Sequence, residues 1–191
     1  NGLAKLMVVD ISLSRDQDNP QLIFESMNST GRELSQADLI RNFVFMHVDQ
    51  DVAEHYEAAS WRPLEDHFRK EDGEVDSRVL SEFFRDYQMR DGVYVKRDDV
   101  FTDFEAAYLT DSFDADGLAR DLLTYAEYYT LLRGKGRAST DVEGALIRFR
   151  SLRFTTTYPL LLNLLHRHHA GTLSDGDMTR CVEMVSGFLL R

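Results

Sequence analysis

Residues 23–46, with the sequence IFESMNSTGRELSQADLIRNFVFM, carry helix-forming and helix-capping signals of the kind that recur along the rest of the chain. In the second half of this stretch, Ser35 can cap a helix while Asp38 reaches back to the cap amide, an arrangement called a capping box. The first half reaches Asn28, which tolerates the left-handed conformation in which helices often end. The sequence therefore predicts two helices joined by a polar turn. That turn consists of Asn28, Ser29, Thr30 and Gly31.

Helical patterns continue from this corner along the rest of the chain. Leucine and phenylalanine recur at three- and four-residue spacing, and residues that begin or cap helices precede the apolar stripes. These residues are Pro20, Asp76, Asp114, Thr140 with Glu143, Pro159, and Ser174 with Asp177. The one strand that we predict is residues 6–13, LMVVDISL, a short run rich in β-branched side chains. The predicted fold class is mainly α, a multi-helix bundle or array of about nine helices with one short N-terminal strand.

The composition is that of an ordinary globular protein. The chain has 191 residues, of which 43 % are hydrophobic and 29 % are charged, and only three are proline. Its single cysteine, Cys181, excludes an internal disulfide and a cysteine-cluster zinc site, which favours a reducing, cytoplasmic location. No apolar run approaches the roughly 20 residues that span a bilayer, so no membrane partner is expected.

The charge is unevenly distributed along the chain. The net charge is −11, which taken whole repels nucleic acid. Residues 133–169, here called the basic segment, contain seven Lys or Arg and two acidic residues, a net charge of +5. The candidate DNA contacts in this segment are Arg133, Lys135, Arg137, Arg148, Arg150 and Arg153. The alternative is a solvated surface that is basic without contacting a partner.

The sequence lacks the common catalytic signatures. It contains no GxxxxGK[ST], GxGxxG, GxSxG or HExxH motif, so we predict no catalytic residue in this chain. His166, His168 and His169 could suggest a metal, but no acidic residue follows them at helical spacing. We interpret them as a solvated helix end whose positive charge complements the helix dipole, and we predict no metal site.

Physical reasoning gives the corner at residues 23–46 two interpretations. A tight turn beside a helix N-terminus presents consecutive backbone N–H groups, a geometry that suits an anion. Arg41 and Asn42, less than two turns into the second helix, could add a charge and an amide. The other interpretation is a purely structural helix–turn–helix corner.

The same corner resembles a block of the GmrSD-type restriction proteins, F-E-x-[LIM]-N-x-x-G-x-x-L-[ST]-x-x-D-L-I-[RK]-N. The matching positions are Phe24, Glu25, Asn28, Gly31, Leu34, Ser35, Asp38, Leu39, Ile40, Arg41 and Asn42. The resemblance implies that residues 1–48 end a ParB/sulfiredoxin-like α/β domain, to which the strand belongs. It implies that residues 49–191 form a helical domain cut short at Arg191, so that the chain is a fragment.

Family members are modification-dependent restriction or anti-phage proteins. Their N-terminal domain carries a DGQQR motif linked to nucleotide hydrolysis, and many have a C-terminal His-Me finger nuclease that uses a divalent metal. Neither motif occurs in this sequence. The resemblance therefore implies that a nucleoside triphosphate and a metal serve the parent protein, and that this chain has no cofactor of its own.

Two functions follow as expectations. In the first, a non-catalytic helical fragment positions the flanking domains of its parent chain and contributes to nucleotide or DNA binding. The corner, with Asn28, Ser29, Thr30, Gly31, Arg41 and Asn42, would then lie near a nucleotide. In the second, the chain is a protein-interaction scaffold that contacts neither nucleotide nor DNA.

Overall fold

The computed structural model describes residues 34–109 and 113–190, and these residues form eight helices. The second helix, α2, is continuous through Ala53–Tyr56, a π-helical turn at Glu57–Trp61, and Arg62–Asp66. The others are α1 (Gln36–Met46), α3 (Ser77–Gln88), α4 (Val100–Tyr108), α5 (Ala115–Leu132), α6 (Thr140–Ser151), α7 (Tyr158–His169) and α8 (Asp175–Leu189). Single 3₁₀ turns lie at Met89–Asp91 and Arg97–Asp99. The mainly α fold class is confirmed, while the predicted strand at residues 6–13 and the helix at Pro20 fall outside the described residues.

Most helices begin where the capping pattern predicts. At the start of α1, the Ser35 hydroxyl accepts the Asp38 N–H at 3.2 Å, and the Asp38 carboxylate accepts the Ser35 N–H at 2.9 Å. The side chains of Asp76, Asp114 and Ser174 each accept the backbone N–H three residues on, at 2.8–3.1 Å. These caps satisfy amide groups that the first helical turn leaves without a partner.

The capping box predicted from Thr140 and Glu143 is wrong. Thr140 is already helical, and the N-cap is Ser139, whose side chain makes no capping bond. The Glu143 carboxylate instead accepts the Ala138 N–H at 3.3 Å and pairs with the Arg150 guanidinium at 2.5 Å. A charge-assisted bond to arginine is stronger than a bond to a neutral amide, so Arg150 decides where Glu143 lies.

The core is largely aromatic, and α3 lies at its centre. This helix packs against α1, α4, α5 and α7, while α6 packs mainly on α8. Aromatic residues at helical spacing on α3 and α5 are buried in this core rather than exposed as a base-stacking surface: Phe83, Phe84, Tyr125, Tyr128 and Tyr129. Edge-to-face pairs such as Phe83 with Tyr129, whose centroids are 5.4 Å apart, hold α3 to α5.

The compact helical unit spans Ser35–Arg191. Helix α1 belongs to this unit, because its buried Ile40, Phe43 and Val44 pack in the same core as α3 and α4. The boundary after residue 48 came from the family resemblance, and it stays a prediction. For the site, the consequence is that Arg41 is presented by a helix anchored within the helical unit.

Candidate nucleic-acid interface

Arg41 lies between two carboxylates of α2. Its Nη2 donates to Glu57 Oε1 at 3.1 Å, and its Nε lies 3.4 Å from Glu65 Oε1. The guanidinium also sits 4.9 Å from the centre of the Phe45 ring, within range of a cation–π contact. A phosphate would have to compete with both carboxylates for this guanidinium.

Trp61 extends the same network into the core. Its indole N–H donates to Glu65 Oε1 at 2.8 Å, so one carboxylate oxygen accepts from the tryptophan and also faces Arg41. The Trp61 indole therefore orients the Glu65 carboxylate from the core side, and the Arg41 guanidinium balances its charge from the solvent side. The network joins α1 to α2 and gives Arg41 a structural role.

The other candidate residues of the corner divide into two groups. Asn42 follows Arg41 on α1 and is half-buried. The turn residues Asn28, Ser29, Thr30 and Gly31 lie outside the described residues. A nucleotide contact by the corner therefore stays a prediction.

Replacing Arg41 with alanine is expected to lower the free energy of unfolding by about 1–2 kcal/mol. The change leaves Glu57 and Glu65 facing each other without a cation, and it removes the contact with Phe45. Arg41→Lys keeps the charge but not the planar fork, so a smaller loss is expected. Urea unfolding followed by circular dichroism measures both variants. If Arg41→Ala unfolds at the wild-type midpoint, the network does not stabilise the fold.

The basic segment begins in the loop between α5 and α6. Gly134 ends α5 in the left-handed conformation, with φ of 83°, as its position in the sequence predicts. The Lys135 N–H donates to the Thr130 carbonyl at 2.8 Å, which fixes the loop backbone against the end of α5. Lys135 and Arg137 are therefore presented by an anchored loop.

Two of the six candidate DNA contacts are held by acidic residues. Arg148 pairs with Glu183 of α8 at 2.7 Å. Arg150 pairs with Glu143 at 2.5 Å and also donates to the Leu131 carbonyl at 2.9 Å. These interactions join α6 to α8 and to the end of α5, so both arginines already serve the fold.

The other four candidates are free of such pairing. Arg133, Lys135, Arg137 and Arg153 are exposed, and each lacks a carboxylate within 4.0 Å in the part of the chain that the structure describes. All four lie in the loops that flank α6. Together they form what we call the free-cation group.

Arg153 adopts an unusual backbone conformation. Its φ is 58°, in the left-handed region that favours glycine, and it follows the end of α6. Adopting this conformation costs a non-glycine residue about 1 kcal/mol or more. Glycine would suit this backbone better, so replacing Arg153 with glycine removes its charge without adding backbone strain.

The three histidines near the end of α7 have separate surroundings. His166 stacks on Tyr125 with ring centroids 5.2 Å apart, and His168 Nε2 lies 2.6 Å from Asp175 Oδ1. The bond to His168 lowers the pKa of Asp175. Within residues 34–109 and 113–190, no group of three or more His, Cys, Asp or Glu side chains is placed to hold a metal ion. Of the helices described above, none has the length and apolar content needed to cross a membrane.

Sequence reasoning missed the acidic partners of the candidate arginines. Glu57 and Glu65 follow Arg41 by 16 and 24 positions, and Glu183 follows Arg148 by 35. Such separations carry no helical-spacing signal. Only the spacing of Glu143 and Arg150, seven residues apart on one helix, could have suggested a pair.

The chain was also compared with known proteins. No family model, no curated protein and no solved structure matches it. The GmrSD resemblance of residues 24–42 therefore stays a prediction.

Proposed function

We propose that this helical unit binds nucleic acid through the free-cation group and thereby positions the flanking domains of a GmrSD-like restriction protein on DNA. The observation that carries the proposal is that four exposed cations, none of them paired with a carboxylate of the described residues, lie in the two loops that flank α6. The family part of the proposal rests on the resemblance of residues 24–42 alone.

The charge distribution supports a local contact rather than a general attraction to DNA. Outside the basic segment, the chain carries 15 basic and 31 acidic residues. The rest of the surface therefore repels phosphate and restricts a DNA strand to the basic loops. Phosphate contacts by Lys and Arg position a protein on DNA without reading its sequence, which suits a domain that holds other domains in place.

The salt dependence of DNA binding tests this proposal. Each cation that contacts a duplex phosphate contributes about 0.9 to the slope of log affinity against log salt, so four contacts give a slope near −3.6. The affinity of the 191-residue chain for a short duplex should then fall about a hundredfold between roughly 50 and 200 mM salt. Fluorescence anisotropy with a labelled duplex measures this loss.

Variants separate the free cations from the paired ones. Arg133→Gln combined with Arg153→Gly removes two free cations, and glycine suits the backbone at residue 153, so the slope should become shallower by about 2. Arg148→Gln, which removes one cation, is the control because Glu183 already holds that arginine. We expect it to change the slope by less than about 1. Equal effects of both changes, or no binding at low salt, would contradict the proposal.

One observation favours the scaffold as a second candidate function. Met184, Phe188 and Leu190, near the end of α8, are exposed by about 70 % or more of their surface. Met184 and Phe188 are four residues apart and share one face of the helix. Exposed apolar residues of this kind mark protein contacts. Absence of DNA binding at every salt concentration would favour this function.

A further inference from the structure

A cavity of about 590 Å³ lies between four helices and the loop of residues 133–139. Its walls come from the end of α5, the start of α6 and the end of α7, with His67 at the end of α2 closing one side. This volume lies within the range of cavities that hold small ligands, about 300–1,000 Å³. It lies apart from the Arg41 network, none of whose residues lines it.

The charged groups of the cavity favour an anion. Lys135 and Arg137 line it, and both belong to the free-cation group. Two carboxylates also line it, but Asp66 is already held by Arg69 at 2.6 Å, which leaves Glu127 at the rim. A ligand group that carries two negative charges, such as a phosphate monoester, complements the two cations.

The remaining walls suit a flat, partly apolar group. Leu131, Val142 and Leu165 supply apolar surface, and the rings of Tyr128 and His169 lie with centroids 5.9 Å apart. Tyr128 is only 7 % exposed, and its hydroxyl has no hydrogen-bond partner among the described residues. Burial raises the pKa of Tyr128 to about 12, so this hydroxyl stays protonated and able to donate. This hydroxyl is a buried donor of a cavity-lining residue, and it costs free energy while it has no partner.

We infer that this cavity binds a nucleoside phosphate, with the phosphate on Lys135 and Arg137 and the base against the apolar and ring-bearing wall. The ligand is either a free nucleotide or the 5′-phosphorylated end of a DNA strand, because both present the same chemistry. The inference goes beyond the proposed contact with duplex DNA and does not depend on it, since Arg133 and Arg153 lie outside the cavity lining.

Calorimetric titration of the 191-residue chain tests the inference with five probes. These are AMP, adenosine, inorganic phosphate, and a short single strand with and without a 5′-phosphate. AMP should bind about tenfold or more tightly than adenosine or phosphate, because only AMP fills both halves of the cavity. If only the phosphorylated strand shows this advantage over its unphosphorylated form, the strand end is the ligand. If neither AMP nor the strand binds better than phosphate alone, the inference is wrong.

Two double variants with the same charge change locate the binding. Lys135→Gln with Arg137→Gln removes the cations of the cavity, and AMP affinity should fall about tenfold or more. Arg133→Gln with Arg153→Gly removes two cations outside it, and AMP affinity should stay within about twofold. Similar losses in both variants would show a diffuse surface attraction and overturn the cavity site.

An occluding variant separates this inference from the proposed function. Ala138→Phe places a ring at the cavity wall and removes no charge, so AMP binding should be lost while duplex binding persists. Circular dichroism shows whether this variant folds, and if it does not, the two double variants alone decide. If the unmodified chain binds AMP but does not bind duplex DNA, the proposed function is wrong and the cavity site is supported.

Discussion

Replacing Trp61 with alanine is expected to lower the free energy of unfolding by about 3–5 kcal/mol, the largest loss that we predict for one side chain. Trp61 is fully buried. Its ring stacks on Phe84 with centroids 6.3 Å apart and meets Phe45 edge-on at 5.8 Å. Truncation would leave a cavity between α1, α2 and α3 that the surrounding rings cannot fill.

The same change also disturbs the Arg41 network. Without the indole N–H, Glu65 loses the donor that orients it from the core, while its charge still faces Arg41. Trp61→Phe is the comparison variant, because it keeps an aromatic ring in the core while it removes the donor and a part of the ring volume. We expect that variant to lose about 1–2 kcal/mol.

Urea unfolding measures both losses. Trp61 is the only tryptophan, so the transition must be followed by far-ultraviolet circular dichroism rather than by fluorescence. Equal losses for alanine and phenylalanine would assign the stabilisation to the hydrogen bond. A loss below about 1 kcal/mol for alanine would mean that the site repacks around the gap.

Local sequence signals predict the helices well because their causes are local. Ser35 with Asp38 and Ser174 with Asp177 make their capping bonds within one turn, so three-residue spacing is enough to find them. The capping box predicted from Thr140 and Glu143 does not form, for the opposite reason. Its carboxylate is drawn to Arg150, a partner that the capping pattern does not consider.

The candidate site is only partly predictable from sequence. Charge counting located the basic segment, but it could not separate Arg148, which Glu183 holds, from Lys135, which no described carboxylate approaches. The pairing depends on how α6 packs on α8, and that packing is a property of the folded core. The cavity was likewise missed, because His67 and His169 meet there from positions about a hundred residues apart.

A second large effect is expected for Asp86, a buried carboxyl on α3. The residue is only 8 % exposed, on a helix whose neighbouring side chains are largely aromatic. Burial raises the pKa of Asp86 to about 7, and Glu82 adds to this shift, while Arg85, Tyr129 and Arg97 oppose it. The carboxyl is therefore protonated in the folded protein over a range in which it is ionised in the unfolded chain.

The sign of the effect follows from proton binding. Between the ordinary pKa of 3.8 and about 7, the folded state holds one proton more than the unfolded state at this group. The contribution of Asp86 to stability is therefore present at low pH and is lost as pH rises through that range. From pH 5 to pH 8 the loss amounts to about 2–3 kcal/mol.

Asp86→Asn removes this dependence, since the amide has nearly the size of the carboxyl group and cannot ionise. The variant should unfold at a higher urea concentration than the wild type at pH 8, and this advantage should shrink by about 2–3 kcal/mol at pH 5. Asp103→Asn, an exposed position on α4, is the matched control and should run parallel to the wild type at both pH values. Each variant lacks one carboxyl group, so their difference compares the loss of the buried Asp86 with the loss of the exposed Asp103. Parallel profiles for Asp86→Asn and the wild type would mean that Asp86 is ionised in the folded protein, with Arg85 and Arg97 stabilising its charge despite burial.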